Sequence, residues 1–163
     1  MTLGIAAKFK GGTLVASDLA LSGDGAKRHL VEGKWFHADD GLVMYAGTLY
    51  YAQEVQFAEG SLRERLRAVH EQRKDDTDKD DAEFLLVNRD IWYYEKEGSF
   101  YKRGDYECIG SGADMADGLM DLIYSPGRSK SWLLAHLANI FRIVNRKVEG
   151  VSNDFKYEVV LAK

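Results

Sequence analysis

TLGIAAKFKGGTLVASD, residues 2–18, is the stretch on which the fold turns. Leu3, Ile5, Ala7 and Phe9 alternate with smaller or polar residues, the period of a strand. Lys10-Gly11-Gly12 is a tight-turn signal, and Thr13 to Ser17 is a second strand, so the chain opens on a hairpin. Working outward, Ser22-Gly23-Asp24-Gly25 reads as a loop and Leu30 to His37 as a third strand interrupted by Gly33. Asp39-Asp40-Gly41 turns the chain into a short apolar strand, Leu42 to Ala46, that ends at Gly47.

Beyond Gly47 the period lengthens. Leu49, Ala52, Val55 and Gln56, then Leu62, Leu66 and Val69, fit one helix or two helices broken near Gly60. DDTDKDD, Asp75 to Asp81, reads as a solvated charged loop. Phe84 to Val87 and Ile91 to Tyr94 form a second hairpin across Asn88-Arg89-Asp90, followed by short strands at Ser99 to Lys102 and Tyr106 to Ile109. A helical region opens after Gly112 and stops at Ser125-Pro126-Gly127. Trp132 to Val144 is a strongly apolar helix and Phe155 to Leu161 a closing strand. Blocks of strands separated from blocks of helices predict an α+β architecture, not a doubly wound parallel sheet.

Bulk properties narrow the function classes. A length of 163 residues fits one domain, 1–163, with a sizeable core. A net charge of -4 argues against a nucleic-acid partner. The basic run RERLRAVHEQRK, Arg63 to Lys74, is interleaved with Glu64 and Glu71 and reads as a solvated or subunit-facing surface. Cys108 is the single cysteine, so no intrachain disulfide forms; beside Ile109 it reads as a small buried thiol. No stretch approaches the roughly 20 apolar residues that span a bilayer, so no membrane partner is expected. No signal-peptide pattern is present, and the expected compartment is the cytoplasm. The four histidines show no ligand spacing and no phosphate loop occurs, so neither metal nor cofactor is expected.

The chemistry centres on Thr2. Methionine aminopeptidases remove Met1 when a small residue follows, which would leave Thr2 at the terminus. A terminal threonine carries its own base beside its hydroxyl. The α-amino group titrates near ~8, so much of it is unprotonated at working pH. Asp18 closes the second strand and Lys34 lies on the third; if these strands are neighbours, the two converge on Thr2 at one sheet end. A lysine cation there disfavours protonation of the amine and stabilises a developing oxyanion. Gly47, between a strand and a helix, offers peptide N–H groups and close approach, which suits an oxyanion hole.

These residues resemble the proteasome β-subunits and the related bacterial ATP-dependent peptidase, members of the N-terminal nucleophile hydrolases. The opening hairpin, the intervals from Thr2 to Asp18 and to Lys34, the Tyr45-Ala-Gly-Thr48 run and Ile109-Gly110-Ser111-Gly112 before a helix carry the resemblance. One residue fewer separates Lys34 from Gly47 than in the family. The resemblance implies a four-layer α/β/β/α sandwich and a threonine-type peptidase with Thr2 as nucleophile and its amine as base. It implies Asp18 and Lys34 as the supporting pair, Gly47 as oxyanion donor and Ser111 near the amine. Glu149 and Ser152 fall at the spacing of a family Asp and Ser, with Glu149 a departure in length. Leu21, Glu32, Tyr45 and Leu49 fall at the substrate-pocket positions, and a carboxylate at Glu32 would favour basic side chains before the cut or pair with Lys34 or Arg28.

The resemblance further implies identical subunits in stacked rings enclosing a chamber. Unfolded polypeptides would be the substrates, fed by a separate AAA-type ATPase, since the chain has no ATP-binding motif. Two alternatives stand beside the peptidase. A retained Met1 would acylate the amine and leave a catalytically inactive ring or scaffold protein of the same fold. An N-terminal nucleophile amidase acting on a small molecule would share Thr2 and lack the double ring.

Overall fold

The computed structural model describes residues 2–23, 26–30, 32–39, 41–74 and 82–162, and of residues 21–23 and 26–29 the backbone only. The predicted opening hairpin is present: β1 (Gly4–Phe9) and β2 (Gly12–Asp18) pair antiparallel with Gly4 opposite Ser17. Gly11 makes the turn at φ 114°, a conformation that only glycine adopts without strain. β3 (Ala20–Gly23) and β4 (Ala26–His29) pair with each other as a two-stranded sheet. Ser22 and Gly23 thus lie in a strand where a loop was expected, while Asp24 and Gly25 lie outside the described residues.

The expected third strand, Leu30 to His37, is corrected to β5 (Trp35–Ala38). Gly33 is the reason: a Cβ there would stand 2.0 Å from the Trp35 ring, so the chain bends beneath that ring before the ladder begins. Lys34 therefore sits in the bend and not on a strand. β6 (Gly41–Gly47) follows, then α1 (Leu49–Phe57) and α2 (Leu62–Gln72), so of the two helical readings the one with a break near Gly60 holds. Ser61 and Glu64 close a capping box at the start of α2. The expected acidic loop at 75–81 lies outside the described residues.

β7 (Ala82–Val87) and β8 (Ile91–Tyr94) form the second predicted hairpin. β9 (Phe100–Lys102) and β10 (Tyr106–Ile109) follow, then α3 (Ala113–Ile123), α4 (Lys130–Lys147) and β11 (Phe155–Leu161). Two larger antiparallel sheets result, one ordered β10-β1-β2-β11 and the other β5-β6-β7-β8-β9.

Strand alternation assigns each face. Leu3, leading into β1, and Ile5, Leu14 and Ala16 of the first sheet pack on Met120, Leu137, Phe141 and Val144 of α3 and α4. Val43, Phe84 and Leu86 of the second sheet pack on Val55, Leu66 and Val69 of α1 and α2. The opposite faces meet each other: Ala6, Val15 and Ile109 pack with Leu42, Met44, Leu85 and Val87. Every residue of β2 is buried, which explains its nearly unbroken run of apolar and small residues. The architecture is mixed α+β, with two main antiparallel sheets and four helices among the described residues. No helix of these residues is long and apolar enough to cross a membrane.

Candidate active site

Three chain segments meet at the end of the β1–β2 hairpin. Thr2 enters β1, Asp18 leaves β2, and Lys34 precedes β5 of the other sheet. The Lys34 Nζ donates to Thr2 Oγ1 at 2.8 Å and to Asp18 Oδ1 at 2.8 Å. Thr2 is 3 % exposed, Lys34 1 % and Asp18 0 %, so an ion pair is held almost out of water.

Buried charge is costly unless each polar atom finds a partner. Asp18 is satisfied throughout. Its Oδ1 also accepts from Leu3 N–H at 3.0 Å, and its Oδ2 accepts from the N–H groups of Ala20 and Ser152, each at 3.2 Å. Lys34 is fixed from its backbone as well. Its N–H donates to Ser17 Oγ at 2.8 Å and its carbonyl accepts from Tyr45 N–H at 3.0 Å, stitching the two sheets together. Burial pushes the Lys34 ammonium below its ordinary pKa, while the charge and hydrogen bond of Asp18 oppose that shift.

The Gly110–Gly112 turn covers the other side of Thr2. Thr2 N–H donates to Ser111 Oγ at 3.2 Å, and the same hydroxyl donates to Thr2 O at 3.3 Å. Gly112 N–H also donates to Thr2 O at 3.3 Å. Gly110 has φ 93°, and a Cβ on it would stand 2.3 Å from the Thr2 carbonyl oxygen. Glycine is required there on both counts.

Thr2 and Lys34 line a cavity of about 940 Å³ that also takes in Tyr45, Gly47, Leu49 and Ser111. Tyr45 is pushed up to about 12 by burial. Gly47 stands on the cavity wall at φ 109°, at the exit of β6. Asp18 lies directly behind Lys34. Six expected residues (Thr2, Lys34, Tyr45, Gly47, Leu49 and Ser111) therefore share one cavity, with Asp18 supporting them.

Glu32 and Glu149 fall elsewhere, and Ser152 reaches the site through its backbone N–H. Glu32 is exposed and lines a separate cavity of about 490 Å³ with Trp35, His37 and Glu158. The bend at Lys34 breaks the shared strand face that would have carried Glu32 inward. Glu149 is exposed after α4 and is absent from the residues lining the larger cavity. Ser152 contributes its backbone N–H to Asp18, while its hydroxyl accepts from Asp154 N–H at 3.1 Å. The side chain of Leu21 lies outside the described residues.

Sequence reasoning missed Ser17, whose hydroxyl holds the Lys34 backbone, and Glu83, which lines the cavity wall. A signal for Glu83 was available. It shares strand parity with Leu85 and Val87, so a carboxylate falls on the face that the two sheets share. Among the described residues, no three His, Cys, Asp or Glu side chains stand together as metal ligands.

No family model matches the chain. No curated protein matches it. Among solved structures it is similar to Anbu (ancestral beta-subunit) from Yersinia bercovieri, with a TM-score of 0.78 at 15 % identity over 98 % of this chain and 81 % of that one. The chain has a proteasome-like fold. The expected membership of the proteasome β-subunits and the bacterial ATP-dependent peptidase is corrected by these findings. No family model or curated protein supports it, and the likeness is to a proteasome-like but distinct protein. Residues of the motifs quoted for that membership answer tertiary contacts within this chain. Gly110 answers a 2.3 Å approach, and Asp18 sits where one ammonium and three N–H groups converge.

Proposed function

We propose that the chain is a threonine-type peptidase whose nucleophile is the hydroxyl of Thr2, set free at the terminus by removal of Met1. One observation carries the reading: the Lys34 ammonium lies 2.8 Å from Thr2 Oγ1 in a buried ion pair at the floor of a cavity. Lys34 donates to Oγ1 and accepts nothing from it, which leaves the hydroxyl proton for another acceptor. In the proposed reaction the amine takes that proton and Oγ1 bonds to the substrate carbonyl carbon. Gly47 N–H and the Lys34 charge stabilise the oxyanion, and the amine returns the proton to the departing peptide nitrogen as the C–N bond breaks. Water, giving its proton to the same amine, then hydrolyses the ester and restores Thr2. Ser111 holds the Thr2 nitrogen in place, 3.2 Å away.

The proposal extends to assembly. The three apolar interfaces support an α/β/β/α reading of the layers within one domain. We propose a self-compartmentalising, proteasome-like particle in the cytoplasm, with identical subunits in stacked rings. A separate AAA-type ATPase would deliver unfolded polypeptides. Protein with Thr2 at its terminus should cleave fluorogenic peptides, while Thr2→Ala and an uncleaved extension ahead of Thr2 should be inactive. Cleavage by either altered protein at the wild-type rate would overturn the proposal.

A further inference from the structure

Glu83 is a charged residue of the cavity wall whose placement the site chemistry leaves unexplained. Strand parity puts it on the face where Leu85 and Val87 pack against the first sheet. A carboxylate at the rim of an apolar interface needs strong partners to offset its desolvation. It has two, one in each sheet. Its Oε1 accepts from the Tyr93 hydroxyl at 2.9 Å, and its Oε2 accepts from Gly110 N–H at 2.7 Å. Tyr93 lies opposite Leu85 on the neighbouring strand, so the first bond stays within the second sheet. The second bond crosses to the end of β10 in the first sheet.

Gly110 begins the turn that contacts Thr2. Its N–H goes to Glu83, its carbonyl accepts from Ala113 N–H at 2.9 Å, and a Cβ on it would strike the Thr2 carbonyl. Ser111 and Gly112, next in the chain, make the three hydrogen bonds to Thr2. We propose that Glu83 is a positioning residue that holds the Gly110–Gly112 turn against Thr2 and thereby sets the place of the Ser111 hydroxyl. Its catalytic consequence rests on the peptidase reading. The hydrogen-bonded clamp does not, so the two are tested separately.

Amide exchange tests the clamp. In Glu83→Ala the Gly110 amide should exchange faster than in wild type, and so should the Gly112 amide, which Glu83 does not touch. Glu83→Gln can accept from Gly110 and donate to the Tyr93 oxygen, so both amides should stay protected. Unchanged Gly112 exchange in Glu83→Ala would overturn the proposal, whether or not the protein cleaves peptides.

Peptidase kinetics test the consequence. Glu83→Ala should lower kcat on the order of 10–100-fold with KM little changed, as for a reacting group displaced by a fraction of an ångström. Glu83→Gln should restore most of it. In a Ser111→Ala background the Glu83→Ala change should cost little more, because both act through one hydroxyl. Fully additive losses, or Glu83→Gln falling as far as Glu83→Ala, would overturn the positioning role. A wild type that cleaves nothing would sink the peptidase reading and leave the clamp to the exchange measurement.

Discussion

Lys34 Nζ stands 2.8 Å from Thr2 Oγ1 although the two residues lead into strands of different sheets. The contact is therefore tertiary. It exists only when the two sheets are stacked, and it ties the proposed chemistry to completed folding.

Removing the lysine should separate chemistry from stability. Lys34→Met leaves Asp18 buried with its three backbone donors but without its counter-charge. Breaking a buried pair this way costs about 3–5 kcal/mol. Denaturant unfolding should show that loss, and peptide turnover should fall by on the order of 10²-fold or more. Peptide turnover near the wild-type rate in folded Lys34→Met would remove Lys34 from the mechanism.

Ser17→Ala removes the acceptor for the Lys34 backbone N–H at 2.8 Å. An unsatisfied buried N–H costs about 1–3 kcal/mol. Equilibrium unfolding should report that loss, accompanied by reduced turnover as the lysine loses its anchor. Wild-type stability would show that the bend at Lys34 is held by other contacts.

Gly110→Ala should be severe. The residue has φ 93°, and the added carbon would lie 2.3 Å from a backbone oxygen. The conformation alone costs about 1–3 kcal/mol, and the clash adds to it. A thermal melt should show a marked drop, and the surviving folded fraction should lack activity because the turn has moved off Thr2.

Legibility followed the range of the interactions involved. The hairpins at Gly11 and Asn88–Asp90, the helix break at Gly60 and the stop before Pro126 are local, and residues 2–18 and 84–94 display them openly. The strand at Leu30 to His37 was misread because its alternation hides a ring–backbone contact between Trp35 and Gly33. Strand period also could not tell that β9 and β10, a few residues apart, join different sheets. The meeting of Thr2, Asp18 and Lys34 was readable from residue type and strand order. The Asp18 cradle was not, because most of it is backbone N–H, which every residue but proline carries. Glu149 looked equivalent to a site carboxylate by spacing alone, and its exposure after α4 is set by the helix's length.

Alkaline pH should destabilise the fold by a definite route. Burial pushes Tyr45 and Tyr51 each up to about 12 from an ordinary 10.0. The fold favours the neutral phenols, so their contribution is complete below 10.0 and is lost as pH rises toward about 12. In that window the unfolded chain has released protons that the folded chain still holds. Phenolate absorbance should lag for these two residues, and the midpoint of urea unfolding should fall across the same interval. Normal titration of Tyr45 in Tyr51→Phe would show that the cavity wall is wetter than its packing implies.

The nucleophile itself is open to direct observation. Protein with Thr2 at its terminus should be treated with an activated peptide ester, quenched in acid, and its adduct located by mass spectrometry of the digested chain. The account predicts one acyl group on Thr2, absent from Thr2→Ala and strongly reduced in Lys34→Met. An adduct on another residue, or none on a chain shown to begin at Thr2, would contradict it.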